Sequence, residues 1–201
     1  MADIYAFPAS PSEDGRGGVP RPEGVPDVVW HAVQTVRAMP HMAGMRYREI
    51  PVPSTLADFG IGVELEYGSS DEPPSRMATG WIMVLYAAQG RRGWTSQWRC
   101  VAFARLPLDE NERDCLTPSM YWEDMLDALD AVDPEGVRGT VTVTRNTSFG
   151  DMEAEPHAGC EMRVSWTPSV SPEGADAGAQ VSVWAQFLRA SVNDGERTVI
   201  G

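Results

Sequence analysis

The stretch Ala78–Arg105, ATGWIMVLYAAQGRRGWTSQWRCVAFAR, constrains the fold of this chain more than any other. Two apolar runs flank a Gly-rich turn, and three of the seven tryptophans fall inside it. From Gly80 to Ala87 both faces are apolar: Ile82, Val84 and Tyr86 alternate with Trp81, Met83 and Leu85. A strand apolar on both sides sits in the middle of a sheet and is covered on both sides. The return strand, read from Trp94 to Arg105, puts Trp94, Trp98, Cys100 and Ala102 on one face and Arg99, Val101, Phe103 and Arg105 on the other. The spacing therefore predicts a central β-hairpin, and what covers its second face becomes the functional question.

The flanking sequence supplies the rest of the sheet. Val29, Val33 and Val36 fall at i, i+4 and i+7 after Pro26, which predicts a short amphipathic helix ending before Pro40. Strands are expected at 45–52 and 60–67. In the second, Ile61, Val63, Leu65 and Tyr67 oppose Gly62, Glu64 and Glu66, which gives one dry and one wet face. A helix over 119–132 points Trp122, Met125, Leu126 and Leu129 inward and Glu123, Asp127 and Asp130 outward, with Thr117 or Ser119 as its cap. Strands at 139–147 and 161–167 and a helix over 180–192 complete the pattern. The fold class is α+β: a single antiparallel sheet of about six strands with three helices, in the order αββββαββα.

Two segments echo each other. Each of 80–129 and 139–191 runs strand, strand, helix, and the helices share W-x-x-M-L-x-A (Trp122 to Ala128) and W-x-x-F-L-x-A (Trp184 to Ala190). A duplicated ββα unit would produce this. Residues 1–25 are rich in Pro, Gly, Ser and acids and bury too little apolar area to offset their ordering entropy, so they are expected to be a disordered tail. One α+β domain at 26–193 follows, then a flexible tail at 194–201.

Charge excludes some partners. The net charge is −13, and every basic residue is Arg. So acidic a chain is repelled by DNA phosphates and anionic membranes. No apolar run is long enough for a membrane span, and the N-terminus lacks the pattern of a signal peptide. Cys100, Cys115 and Cys160 are odd in number and lack metal-ligand spacing, which reads as reduced thiols in a cytoplasmic protein.

Catalytic signals are weak. No P-loop, G-x-S-x-G, H-E-x-x-H or dinucleotide fingerprint is present. His31, His41 and His157 are scattered, so no metal or cofactor is expected. Cys100 and Cys160 lie in or at strands, where a free Cys is usually an apolar filler. Glu64 with Glu66, and Asp109, Glu110 and Glu112, read as solvated acidic faces. The group with most chemistry is basic and aromatic: Arg91, Arg92, Trp94, Trp98, Arg99 and Arg105, beside Trp81. Such residues stack on bases, form protein hot spots, or simply build core and surface.

The run from Glu49 through Ile50, Pro51, Val52, Pro53, Ser54, Thr55 and Leu56 to Ala57 is one of several family-like pieces. Ala78–Gly80 follow, then Trp94 with Arg99, Val101 and Arg105, Trp122 with Leu126 and Leu129, Gly139–Thr142, Ser148–Gly150 and Arg163–Pro168. Together they resemble an actinobacterial family catalogued only as a domain of unknown function, number three thousand, over about residues 26–193. The resemblance implies a cytoplasmic bacterial protein and carries no activity, cofactor or catalytic residue.

The sequence reading is therefore a non-enzymatic module that binds a protein or ligand through the central hairpin face, with Trp81, Trp94, Trp98, Arg99 and Arg105 as binding candidates and no catalytic or metal residues. The partner is another protein or a second copy of the chain. One alternative is a small hydrolase-like enzyme with a cleft at loops 68–76 or 148–159. Another is an RNA-associated factor using Arg91, Arg92, Arg99 and Arg105.

Overall fold

The computed structural model describes residues 21–68, 77–108, 117–129, 136–146 and 157–197. Most of the N-terminal tail, the loops at 68–76 and 148–159 apart from their ends, the cluster Asp109, Glu110 and Glu112, and Cys115 lie outside the described residues.

The elements are α1 (Asp27–Ala38), β1 (Met45–Ile50), β2 (Phe59–Tyr67), β3 (Ala78–Tyr86), β4 (Trp98–Pro107), α2 (Thr117–Ala128), β5 (Arg138–Asn146), β6 (His157–Trp166), β7 (Val170–Ser171), β8 (Gly174–Ala175) and α3 (Ala177–Arg197). The main sheet is antiparallel throughout, with strand order β1-β2-β3-β4-β6-β5. This is the expected αββββαββα architecture, plus a small β7–β8 hairpin inside the loop expected before α3. The hairpin β3–β4 occupies the middle of the sheet, as its two apolar faces require.

One face of the sheet carries the helices. Ile61, Val63 and Leu65 of β2, Ile82 and Val84 of β3, Cys100, Ala102 and Ala104 of β4, and Met162, Val164 and Trp166 of β6 are all buried there. They meet Val29, Val33 and Val36 of α1, Met125 and Leu129 of α2, and Val181, Trp184, Phe187 and Leu188 of α3 in one apolar cluster. Two buried donors are satisfied at its centre. Trp166 Nε1 donates to Gln180 Oε1 at 2.7 Å, and Trp184 Nε1 donates to the Phe103 carbonyl at 3.2 Å. The start of α3 is set by Asp176, whose carboxylate accepts from the Ala179 N–H at 2.9 Å. That N-cap satisfies one of the orphan donors of the first turn and starts the helix three residues before the position expected from hydrophobic spacing.

The sequence echo has a geometric counterpart. Gly80 pairs with Ala104, and Gly139 pairs with Val164. A Cβ on Gly80 would strike the Phe103 carbonyl, with Leu188 of α3 at 3.4 Å, and a Cβ on Gly139 would strike the Arg163 carbonyl, with Trp122 of α2 at 3.0 Å. In the β4–β6 pairing, Ala102–Val164 and Ala104–Met162 exchange about the Phe103–Arg163 pair. Each strand pair is thus covered by the helix of the other: α3 packs on β3 and β4, and α2 packs on β5. This exchange about a local two-fold is the arrangement a duplicated ββα unit produces.

The hairpin differs from the sequence reading at one place. The return strand begins at Trp98, not Trp94, because Tyr86 pairs with Trp98 and the Ala87 N–H donates to the Gln97 carbonyl at 2.9 Å. Residues 88–97 form a loop that turns twice, through Gly90 and Gly93 at φ +68 and +86. Both are left-handed conformations that glycine adopts without steric cost.

Candidate functional site

The helix-free face of the sheet is built from the alternate residues of the same strands. Across β1 and β2 it shows Arg46, Arg48, Glu64 and Glu66; across β3 and β4, Trp81, Met83, Leu85, Arg99, Val101, Phe103 and Arg105; across β6 and β5, Glu161, Arg163, Ser165 and Arg138. Part of this face is closed by non-helical chain. Ile50, Val52 and Ala57 from the β1–β2 connection and Trp94 from the 88–97 loop pack on Met83, Leu85 and Val101 in a second, smaller apolar cluster. That loop is anchored by the Arg91 guanidinium, which donates to the Thr55 carbonyl at 2.6 Å, and by Gln97, which donates to the Ala88 carbonyl at 2.6 Å.

The five binding candidates do not converge on one surface. Trp98 is 3% exposed and lies on the helix side, its ring tilted against Tyr86 at 4.9 Å between centroids, so it is core and not part of the helix-free face. Trp94 serves as a lid residue, half-buried over Met83 and Leu85. Arg99 is 8% exposed and spends its donors internally: Nη1 to Thr167 Oγ1 at 3.2 Å and the Gly136 carbonyl at 3.5 Å, and Nη2 to Ser165 Oγ at 2.7 Å and the Ser165 carbonyl at 3.1 Å. It ties β4 to the end of β6 and to the chain just before β5. Burial pulls its guanidinium below the ordinary value, and neighbouring Arg138 adds to that, but an arginine remains charged.

Trp81 and Arg105 remain on the open part, joined by two residues the sequence reading did not single out as site residues. Trp81 stacks on Phe103 with ring centroids 6.0 Å apart, and the Arg163 guanidinium lies 5.4 Å from the Phe103 ring centroid. Arg105 and Arg163 share one carboxylate, Glu161, at 2.8 and 3.2 Å. The hydrogen bond from Arg105 holds the Glu161 carboxyl below its usual range, helped by the charges of Arg105 and Arg163 against partial desolvation. On the β1–β2 side the acidic row is matched charge for charge, Arg46 with Glu66 at 2.6 Å and Arg48 with Glu64 at 2.5 Å. Glu64 and Glu66 are therefore ion-pair partners, which explains the acidic stripe without a metal. No cluster of His, Cys, Asp and Glu fit to hold a metal occurs among the described residues.

The alternative readings find little geometry. Cys100 and Cys160 are fully buried in the helix-side core. Cys100 Sγ points to Gln180 Oε1 at 3.9 Å, and burial pushes its thiol far above the ordinary value. A thiol of this kind is protonated and inert. With Cys115 replaced by Ser, the native chain should not react with a disulfide reagent at mildly alkaline pH, and both remaining thiols should react on unfolding. Rapid labelling of the native chain would show an accessible thiol and contradict the burial. His31 lies 3.9 Å from Glu173, and His41 stacks on Tyr47 at 4.5 Å, both away from these cysteines. Of the four arginines offered for RNA, Arg91, Arg99 and Arg105 are already engaged.

Among the described residues no helix is long and apolar enough to cross a membrane. Two shallow depressions lie over the 88–97 loop and between α2 and β5. No curated protein and no solved structure matches the chain. A family model described as a protein of unknown function (DUF3000) matches residues 25–193, which span α1 through most of α3, and the chain belongs to that family.

Proposed function

We propose that this chain is a non-enzymatic, cytoplasmic protein-binding module, which meets an acidic protein partner through the helix-free face centred on Trp81 and Phe103. The carrying observation is the stacked, half-buried Trp81–Phe103 pair, which no helix covers and which arginines border. Aromatic residues and Arg are the side chains that most often dominate protein interfaces. The sign of the charge supports an acidic partner. On β4, β5 and β6 this face bears Arg99, Arg105, Arg138 and Arg163 against Glu161 alone, in a chain whose net charge is −13. A second copy would bring the same cations to the contact and the same net repulsion.

The test compares variants, since recovery of some protein from a lysate decides nothing alone. Wild type and a Val170→Ala control should retain the same partner from the source cells. Trp81→Ala and Arg163→Glu should lose it while keeping the wild-type circular dichroism. Retention by both surface variants, or self-association that Trp81→Ala abolishes, would overturn the proposal.

A further inference from the structure

β5 is the outer strand of the sheet, paired with β6 on one side only. An outer strand presents a row of unpaired N–H and C=O groups, and proteins usually blunt such edges with charge, proline or a covering element. The opposite edge follows that rule. β1 carries Arg46, Arg48 and Glu49, is tied down by two ion pairs, and runs directly into Pro51. β5 does not. Its sequence, RGTVTVTRN, has no proline and no acid, and residues 140–144 are all β-branched, the composition that best suits a pleated strand. Thr140, Thr142 and Thr144 are exposed on the helix-free side and Val143 on the helix side, so α2 covers the strand only around Gly139 and Val141.

The two sides of this edge differ in chemistry. On the helix side Val143 is 39% exposed, and Met120 of α2 is 57% exposed. Between α2 and β5 runs a shallow groove lined by Pro118, Ser119, Trp122, Glu123, Gly139 and Val141. A side chain placed there meets an apolar floor of Trp122 and Val141, with Ser119 and Glu123 at its polar margin. On the helix-free side the edge presents Arg138, while one strand in, beside Thr140 and Thr142, Arg163 and Glu161 of β6 are paired with each other. Arg138 is exposed, and among the described residues it has no carboxylate partner. Its charge is close enough to depress buried Arg99. The same sheet shows how such a row is matched at its other end, where Arg46 and Arg48 of β1 each meet a glutamate of β2.

We infer that β5 accepts an extended segment of a partner protein by β-strand addition, and that the segment alternates apolar and acidic residues. Main-chain hydrogen bonds to the free edge would hold it, and alternate side chains would set its specificity. Apolar residues would face Val141, Val143, Met120 and Trp122. Acidic ones would face Arg138, extending the charge ladder of the sheet by one strand. A β5-to-β5 pairing of two copies has the same backbone opportunity, but β5 carries no acid, so it brings no carboxylate to Arg138. This edge shares Arg138 with the helix-free face but does not require the Trp81–Phe103 pair.

The experiment uses a fluorescent peptide of about eight residues alternating Val and Glu, a common length for a strand, and a matched peptide with Arg in place of Glu. Binding to the full chain is followed by anisotropy, and amide hydrogen exchange locates it. The Glu peptide should bind saturably and slow exchange within 138–146, and the Arg peptide should not bind. Arg138→Glu, at an exposed position, should weaken the Glu peptide about ten-fold or more, equivalent to about 1.4 kcal/mol, while Trp81→Ala should leave it unchanged. Four results would each overturn the inference: no saturable binding of the Glu peptide, equal binding of both peptides, protection outside β5, or a dimer that protects 138–146 without peptide.

Discussion

Replacing Trp184 by alanine is expected to lower the stability of the fold by about 3–5 kcal/mol, the range for deleting a fully buried large aromatic residue. Trp184 is completely buried, lies 5.9 Å from Trp166 and 5.1 Å from Phe187 between ring centroids, and donates to the Phe103 carbonyl. The side chain joins α3 to the central strand pair, so the cavity would open where the sheet and helix layers meet. In a chain of this size each kcal/mol shifts the melting temperature by about 2–4 °C, so a loss of roughly 10 °C is expected. Trp184→Phe should cost less, because most of the ring volume stays and only the indole donor is lost. Thermal unfolding of both variants checks the order; a Trp184→Ala chain that melts with the wild type would show that α3 is not seated on β4 as described.

Gly80→Ala is the second large effect, and it works by overfilling. The new methyl would fall inside contact distance of the Phe103 carbonyl, with Ala104 Cα at 3.3 Å and Leu188 at 3.4 Å. The colliding atom is backbone in the middle of the sheet, so β3 and β4 must separate under α3. Overpacking of this kind costs about 1–3 kcal/mol, occasionally more, and the top of that range is expected here. Gly139→Ala makes the matching collision with the Arg163 carbonyl, but β5 is an outer strand and can move away from β6. Its cost should be distinctly smaller. Chemical denaturation of the two variants measures the difference, and equal losses would mean that central and outer strands yield alike.

Much of this architecture is written in local periodicity. The alternation of Ile61, Val63, Leu65 and Tyr67 against Glu64 and Glu66 assigns the faces of β2 without knowledge of any partner strand. The doubly apolar run around Val84 places β3 at the centre for the same reason. Trp94 is where periodicity misleads. It has the same parity as Trp98, so a two-residue repeat carries the strand back into what is really a loop. Only the pairing of Tyr86 with Trp98 shows where the ladder stops. The candidate site was less legible. Arg99 looks available in sequence, but its acceptors at Gly136, Ser165 and Thr167 are brought to it by the β4–β6 pairing. The same pairing brings Arg163 over Phe103. The bareness of β5 is invisible for a related reason. The strand itself can be predicted, but its position outside β6 depends on strand order, which no local pattern encodes.

The exchange of helices between the two ββα units has a consequence for how the molecule comes apart. Neither unit shields its own strand pair fully. α2 leaves its own hairpin to cover β5, and the hairpin β3–β4 waits for α3, the last element of the chain. An opening that begins at α3 therefore uncovers the first hairpin together with the Trp166 end of β6. Local openings elsewhere can remain local, the usual behaviour of separate cooperative segments. Here the two units are interlocked, and the centre of the sheet is completed only when α3 is in place.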